Sequence, residues 1–436
     1  VVQTAALQNG LEIALVEMHE VPVVNLTLLV RAGSERDPRD LPGLATFAAG
    51  MLDDGAGSRS ALEIAEEAAF LGAQLSTGAG HEWATVSLHV PKRQLAPALR
   101  LMADVALRPT FPDSEVTRQR ELRRSAILQL RDQPTAQAPI AFNAIVYGDH
   151  PYGWPTGGNE ASTAALSRQR ALEFWRTYYR PGNARLLVVG DITMAEARRL
   201  LGEAFGGWQR ADTPPLPDAE APPAAPRAFY LVDKPGAAQS VIRIGHVGVS
   251  RHTPDYYALE VMNTILGGSF TSRLNQNLRE TKGYTYGAGS GFNYRRLRGP
   301  FIAAASVVTA KTDSSLIEFF YELRRIRDSL VSDEELAKAR AYVTLGLPRE
   351  FETTRGTAAQ FLDLLQNDLP LDYYASLVPR INAVTAADVQ RVARRYIDPD
   401  HFAVVVVGDK SQIEAGIRAL GEGPILLRDL WGREAR

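Results

Sequence analysis

Tyr178-Tyr179-Arg180-Pro181-Gly182-Asn183-Ala184-Arg185-Leu186-Leu187-Val188-Val189-Gly190-Asp191 returns 218 residues later as Tyr396-Ile397-Asp398-Pro399-Asp400-His401-Phe402-Ala403-Val404-Val405-Val406-Val407-Gly408-Asp409. Six positions are identical in register: the first Tyr, the Pro, two Val, the Gly and the Asp. The offset is half of the 436 residues, and it also carries Thr46 onto Thr264 and Gly50 onto Gly268. A strand closed by Gly-Asp is common, but one offset at both ends of a unit indicates an internal duplication.

Working outward from the repeat, Pro214, Pro215, Pro217, Pro222, Pro223 and Pro226 fall between the two copies. Such a stretch holds neither a helix nor a central strand and behaves as an extended spacer. The expected organisation is an N-terminal lobe over 1–210, a proline-rich linker over 211–228 and a C-terminal lobe over 229–436. Within the first lobe, 23–30 reads as a strand, and Leu44, Phe47, Ala48 and Met51 repeat at helical spacing after Pro42, which suits a first turn. Ser60 and Glu63 form a capping-box signature, with Gly72 at the stop. A strand over 81–90 and a charged helix over 114–131 follow. The second lobe reads as strands over 240–247 and 301–308 with helices over 256–266, 313–330 and 333–345. Strands followed by helix pairs predict an α+β lobe used twice, each a mainly antiparallel sheet packed with helices.

Composition removes several classes of function. The chain has 48 basic and 50 acidic side chains, a net charge of −2, which gives no general drive toward nucleic acid. With no cysteine, disulfides, zinc ribbons, iron–sulfur clusters and thiol catalysis are excluded. No apolar run approaches the ~18 residues needed to cross a bilayer. Val1 in place of Met allows a removed secretory signal, which favours a periplasmic over a cytoplasmic address while leaving both open.

The most informative stretch is Leu266-Gly267-Gly268-Ser269-Phe270-Thr271-Ser272-Arg273-Leu274, followed by Leu278-Arg279-Glu280-Thr281-Lys282-Gly283-Tyr284-Thr285-Tyr286. Glycines end one helix, a second helical segment stops at Gly283, and a strand begins near Tyr284. Arg279 and Tyr286 therefore flank a helix-to-strand turn. A guanidinium fork and a phenol there can both donate to a peptide carbonyl, stabilising charge that develops on its oxygen. From spacing alone, a surface Arg and a strand-core Tyr is the better account of the pair.

This stretch resembles the C-terminal signature of the pitrilysin/insulinase family of zinc metallopeptidases, the inverzincins. The likeness extends to Asp149-His150-Pro151-Tyr152-Gly153 with Gly157, to both Tyr-x-x-Pro…Val-Val-Gly-Asp repeats, and to Ser332-Asp333-Glu334-Glu335-Leu336-Ala337-Lys338-Ala339. The resemblance implies two similar α+β domains per unit and clam-like pairing of two units around a peptide. It also implies that Arg279 and Tyr286 bind the scissile carbonyl opposite a zinc, with Gly268 and Ser269 in the substrate-binding turn. The non-catalytic subunit of the mitochondrial processing peptidase, another member of the family, has a long glycine-rich loop near this place. Leu266 to Leu274 is compact by comparison.

Catalytic members carry His-x-x-Glu-His on the helix that corresponds to 41–52 in this chain. The chemistry needs that spacing, since histidines at i and i+4 share one helix face and the Glu activates metal-bound water. In register with Leu41-Pro42-Gly43-Leu44, the three positions read Thr46, Ala49 and Gly50. The distal ligand position falls at or beside Ala126, and a supporting acid falls at Gln119. No two of His19, His81, His89, His150, His246, His252 and His401 stand at i, i+3 or i, i+4. His81 and His89 read as two positions of one strand, roughly 26 Å apart at ~3.3 Å per residue. Arg118, Arg120, Arg123 and Arg124 read as a solvated helix face paired with Glu115 and Glu121. Gly287, Gly289 and Gly291 alternate along a strand, unlike a phosphate-cradling loop.

The expectation is a non-catalytic subunit, inactive alone, of a heterodimeric zinc endopeptidase. It would hold no metal or other cofactor itself, the zinc lying in a homologous partner with an intact His-x-x-Glu-His. Its substrates would be peptides or unfolded segments. The alternative is a scaffold of the kind found in the core subunits of the respiratory cytochrome complex, or a peptide-binding protein without peptidase activity.

Overall fold

A computed structural model describes residues 2–435. It contains two six-stranded sheets. In the first, the strand order is Val2–Ala6, Glu12–Glu17, Ala184–Gly190, Val23–Val30, Ala84–Pro91 and Gln74–Ala79. In the second it is Ile425–Arg428, Ala228–Asp233, Ala403–Gly408, Gln239–Val247, Pro300–Val308 and Thr285–Phe292. Five strands of one sheet match five of the other in sequence order and position, the structural form of the repeat. The sixth differs: the chain's first strand fills that edge in one sheet, and its last strand fills it in the other. Pairing is antiparallel except where Glu12–Glu17 meets Ala184–Gly190, and where Ala228–Asp233 meets Ala403–Gly408 and Ile425–Arg428. The chain is thus α+β, as the strand and helix pattern predicts.

Central strands are apolar on consecutive residues because both faces of each sheet are covered. In Ala184–Gly190, Leu186 and Val188 enter the main core of the first sheet. Leu187 and Val189 join Ala14, Leu29, Trp83 and Leu365 on the opposite face. The helix Thr354–Gln366 supplies Leu365, so the first sheet is completed by a helix encoded in the second half of the sequence. The second sheet shows the converse. Pro134–Tyr147 lays Ala138, Ala141 and Phe142 against Val232, Val241, Val405 and Val407. One compact unit therefore comprises the chain up to Ile127 with Pro155–Asp218 and Pro348–Tyr373. The other comprises Leu128–Trp154, Ala219–Leu347 and the chain from Tyr374 onward.

Several local readings hold closely. The Ser60 capping box forms, with Glu63 accepting from the Ser60 amide at 2.8 Å and Ser60 Oγ accepting from the Glu63 amide at 3.3 Å. The long charged helix spans Asp113–Leu130, and the late helix spans Asp333–Leu345. Two readings change. The helix expected over 41–52 is Leu44–Gly50, and it opens at Gly43 (φ +93°), since Pro42 lies outside its first turn. His81 precedes the strand Ala84–Pro91 that carries His89, so the two histidines do not share a strand. Among the described residues, no helix is long and apolar enough to cross a membrane.

Candidate functional site

The helix Leu44–Gly50 is small-residue rich and buries Leu44, Ala45, Phe47, Ala48 and Ala49. Its first turn is tied down by the buried Asp37 carboxylate, which accepts from the Gly43 and Ala45 amides, both at 2.7 Å. Gly43 has no room for a side chain, since an added Cβ would lie 2.7 Å from the Gly158 amide nitrogen. The half-buried Thr46 donates its hydroxyl to the Thr156 carbonyl at 2.6 Å. Ala49 is fully buried, whereas a Cβ on Gly50 would meet no atom within 4 Å.

The helix Asp113–Leu130 brings Gln119, Arg123 and Ala126, three and four residues apart, onto one face. Gln119 donates to the Asp54 carboxylate at 2.7 Å, and Ala126 is exposed. Arg123, read from sequence as part of a solvated face, is instead directed at the helix Leu44–Gly50. Its Nη1 donates to Thr46 Oγ1 at 3.2 Å and to the Gly157 carbonyl at 3.1 Å, and its guanidinium lies 5.4 Å from the Phe47 ring. Burial lowers the Arg123 pKa to about 10, partly offset by the Asp37 charge, so the side chain is cationic at neutral pH. Burial in turn pushes Asp37 up to about 7, against the pull of its backbone N–H donors and of Arg123. The other arginines behave as expected of a surface face: Arg118 pairs with Glu115 at 2.6 Å and Arg124 with Glu121 at 3.9 Å.

These positions do not fit a zinc ion. Ala49, Gly50 and Ala126 offer no ligand atom, and the single oxygen, on Thr46, is already engaged with Thr156 and Arg123. Among the described residues, no group of three or more His, Asp or Glu side chains is placed to hold a metal.

The second sequence-predicted cluster lies in the other unit. Residues Thr264–Gly268 and Gln276–Thr281 are both wound as π-helix, a rare geometry frequent at functional sites. The first turn has this shape because Gly267 abuts the edge strand Thr285–Phe292, where a Cβ would sit 2.3 Å from the Ser290 amide. Gly268 lies under Asn263, and Ser269 Oγ donates back to the Thr264 carbonyl at 3.1 Å. Asn275 fastens turn to strand, donating to the Phe270 carbonyl at 2.7 Å and accepting from the Ala288 amide at 3.2 Å. Arg273, itself buried, forks onto Glu335 at 2.7 and 2.9 Å and anchors the turn to the helix Asp333–Leu345. That fork holds the Glu335 carboxyl down at about 2, against its ordinary 4.5.

On this frame Arg279 stands in the second π-turn, its guanidinium 4.6 Å from the ring of the exposed Phe270 and 3.4 Å from Glu280. Tyr286 occupies a bulge in the edge strand, where the ladder slips between Thr285 and Ala288. Thr285 Oγ1 shapes the bulge, donating to the Ser306 carbonyl at 2.6 Å and accepting from the Gly287 amide at 3.1 Å. Tyr286 is 91% exposed, so it is not a strand-core residue. Gly268, Ser269, Arg279 and Tyr286 thus belong to one local assembly. Thr46, Ala49, Gly50 and Ala126 belong to the other unit, where Arg123 connects the two helices that carry them.

The sequence pattern assigns Arg123 to a solvated face and singles out neither Asp37 nor the Arg273–Glu335 pair. The spacing of Arg123 from Gln119 and Ala126 was the available signal for that residue. A cavity of about 450 Å³ lined by Thr4, Ile13, Arg185, Leu365 and Leu371 contains none of the expected site residues.

Comparison with known proteins agrees with this division of features. Residues 12–160 match the family described as "Insulinase (Peptidase family M16)", and residues 165–343 match "Peptidase M16 inactive domain". An uncharacterised zinc protease of Rickettsia bellii is 25% identical over 408 residues, covering 92% of this chain and 96% of that protein. One from Bacillus subtilis is 24% identical over 408 residues, with the same coverage. Among solved structures, a peptidase M16 inactive domain from Pseudomonas fluorescens superposes with a TM-score of 0.87 at 25% identity, covering 93% of this chain and 98% of that one. A protease from Helicobacter pylori shares the fold, with a TM-score of 0.88 at 19% identity over 93% of this chain and 99% of its own.

Proposed function

We propose, for a chain that belongs to the pitrilysin/insulinase (M16) peptidase family and to its non-catalytic type, that it serves as the substrate-binding half of a heterodimeric zinc endopeptidase. The observation that carries this reading is an asymmetry. The helix Leu44–Gly50 has lost every metal-binding and base function, while the Arg279/Tyr286 turn is intact, built on a rare backbone geometry and open to solvent. A phenol 91% exposed on a bulged edge strand adds nothing to the core, which supports a role toward a ligand.

In this role the zinc and the carboxylate that activates water belong to a homologous partner chain. This chain contributes hydrogen-bond donors. The Arg279 fork and the Tyr286 hydroxyl meet the scissile carbonyl oxygen and favour the charge that grows there in the transition state. The cation–π contact with Phe270 limits the guanidinium's freedom before substrate arrives. Gly268 and Ser269 keep the turn narrow enough for a peptide backbone to pass.

The test is to mix the chain with a partner containing His-x-x-Glu-His and follow cleavage of an unfolded polypeptide. Activity absent from either chain alone is expected. In the mixture, Arg279→Ala or Tyr286→Phe should each lower turnover by on the order of 10²–10³. If the mixture gains no activity, the scaffold reading is favoured. If activity appears but both substitutions leave it unchanged, neither side chain acts on the scissile carbonyl.

A further inference from the structure

We infer that Arg123 is the resident cation of the vacated metal position, fastening the helix Leu44–Gly50 to the helix Asp113–Leu130 as a bound ion would and barring a metal from the same place. A ligated metal draws oxygen and nitrogen atoms from separate segments onto one centre. Arg123 Nη1 does the same, with Thr46 Oγ1 at 3.2 Å from one helix and the Gly157 carbonyl at 3.1 Å from the loop before the helix Glu160–Ala165. The Gly43 carbonyl stands at the 3.5 Å limit. The buried Asp37, whose carboxylate secures the same helix turn, lends a partial countercharge, burial having raised its own pKa to about 7.

Exclusion of a metal follows from place as well as charge. Thr46 stands where the family's first histidine would be, and its side-chain oxygen is the acceptor Arg123 uses. A divalent ion there would meet a positive charge at contact distance, held in place by its hydrogen bonds to Thr46 and Gly157. Space at the backbone is not what prevents ligation elsewhere, since a Cβ at Gly50 would meet nothing within 4 Å and Ala126 is exposed. Absence of the ligands and presence of the arginine are therefore separable features, and the inference is that the arginine by itself keeps the site closed. The inference stands whether or not a catalytic partner exists.

Restoring the ligands tests it. One variant carries Thr46→His, Gly50→His and Ala126→Glu with Arg123 kept, and a second adds Arg123→Ala. Both are dialysed against micromolar zinc, and metal content and melting temperature are measured. The first variant should stay below a tenth of an equivalent of zinc, and the second should bind about one. Zinc should raise the melting temperature of the second variant by on the order of 5 °C, recovering what Arg123→Ala removes in the otherwise native chain. Arg123→Lys, which keeps the charge but not the fork, should recover part of it, and Arg124→Ala should change nothing. Stoichiometric zinc in the first variant overturns the inference. So does failure of both folded variants to bind zinc, because ligand placement and not Arg123 would then be the barrier. A melting temperature unmoved by Arg123→Ala overturns the fastening role.

Discussion

At the scale of single residues, the site rests on atoms that are absent as much as on those present. Gly267 is the clearest case. Its Cα faces the Ser290 amide so closely that a methyl group at 2.3 Å would displace either the π-turn or the edge strand. Gly267→Ala should cost about 1–3 kcal/mol in denaturant unfolding. Because the turn packs on the strand that also carries the Tyr286 bulge, the same substitution should weaken peptide binding more than Tyr286→Phe does. Unfolding at the wild-type midpoint would show that the strand yields freely. Arg279 and Tyr286 stand out in sequence only through the family resemblance, since spacing alone favours a surface Arg and a strand-core Tyr. Arg123 does not stand out, because a surface and a buried arginine look alike until the helix it faces is known.

At the scale of elements, the turn holding the Arg/Tyr pair is fixed to the late helix through one ion pair. Glu335 caps its own helix through the Ser332 amide at 3.0 Å and receives the Arg273 fork. Its carboxyl is held at about 2 against an ordinary 4.5, so the folded state favours the ionised form. The resulting stability is fully present above about pH 4.5 and is lost as pH falls from there toward 2. Melting curves between pH 6 and 3 should therefore fall more steeply for the wild type than for Glu335→Gln; parallel curves would mean that the pair contributes nothing. The legibility of elements followed burial. Val23–Val30 and Pro300–Val308, interior strands with dense apolar runs, declare themselves in sequence. The edges Val2–Ala6 and Gln74–Ala79 do not, neither having a fully buried residue or a dense apolar run. Pro139 disguises Pro134–Tyr147 as a break in the chain. The first π-turn cannot be read locally, since Gly267 packs on Ser290 of a strand later in the chain.

For the whole molecule, the duplication is legible as an offset of 218, but the traffic between its halves is not. The helices Pro134–Tyr147 and Thr354–Gln366 occupy equivalent places in the repeat, and each covers the sheet of the other half. No pattern of apolar residues says which of two similar sheets a helix will choose. The consequence is testable by cutting the chain. Residues 1–210 and 229–436 expressed separately should each leave one sheet face bare, bind a hydrophobic dye and melt without cooperativity. Expressed together, they should recover a cooperative transition. Two halves that melt cooperatively on their own would show the exchanged helices to be accessory.

The same exchange sets a timetable for synthesis. The last central strand of the first sheet leaves the ribosome when Gly190 does, yet the helix that covers its Trp83 and Leu187 face ends at Gln366. At ~5–20 residues per second the gap lasts roughly 10–35 s, during which a nearly finished sheet offers an apolar face to the cell. A nascent chain of this design should be held by a chaperone over that window, and crosslinks to one should vanish once the helix Thr354–Gln366 has cleared the exit tunnel.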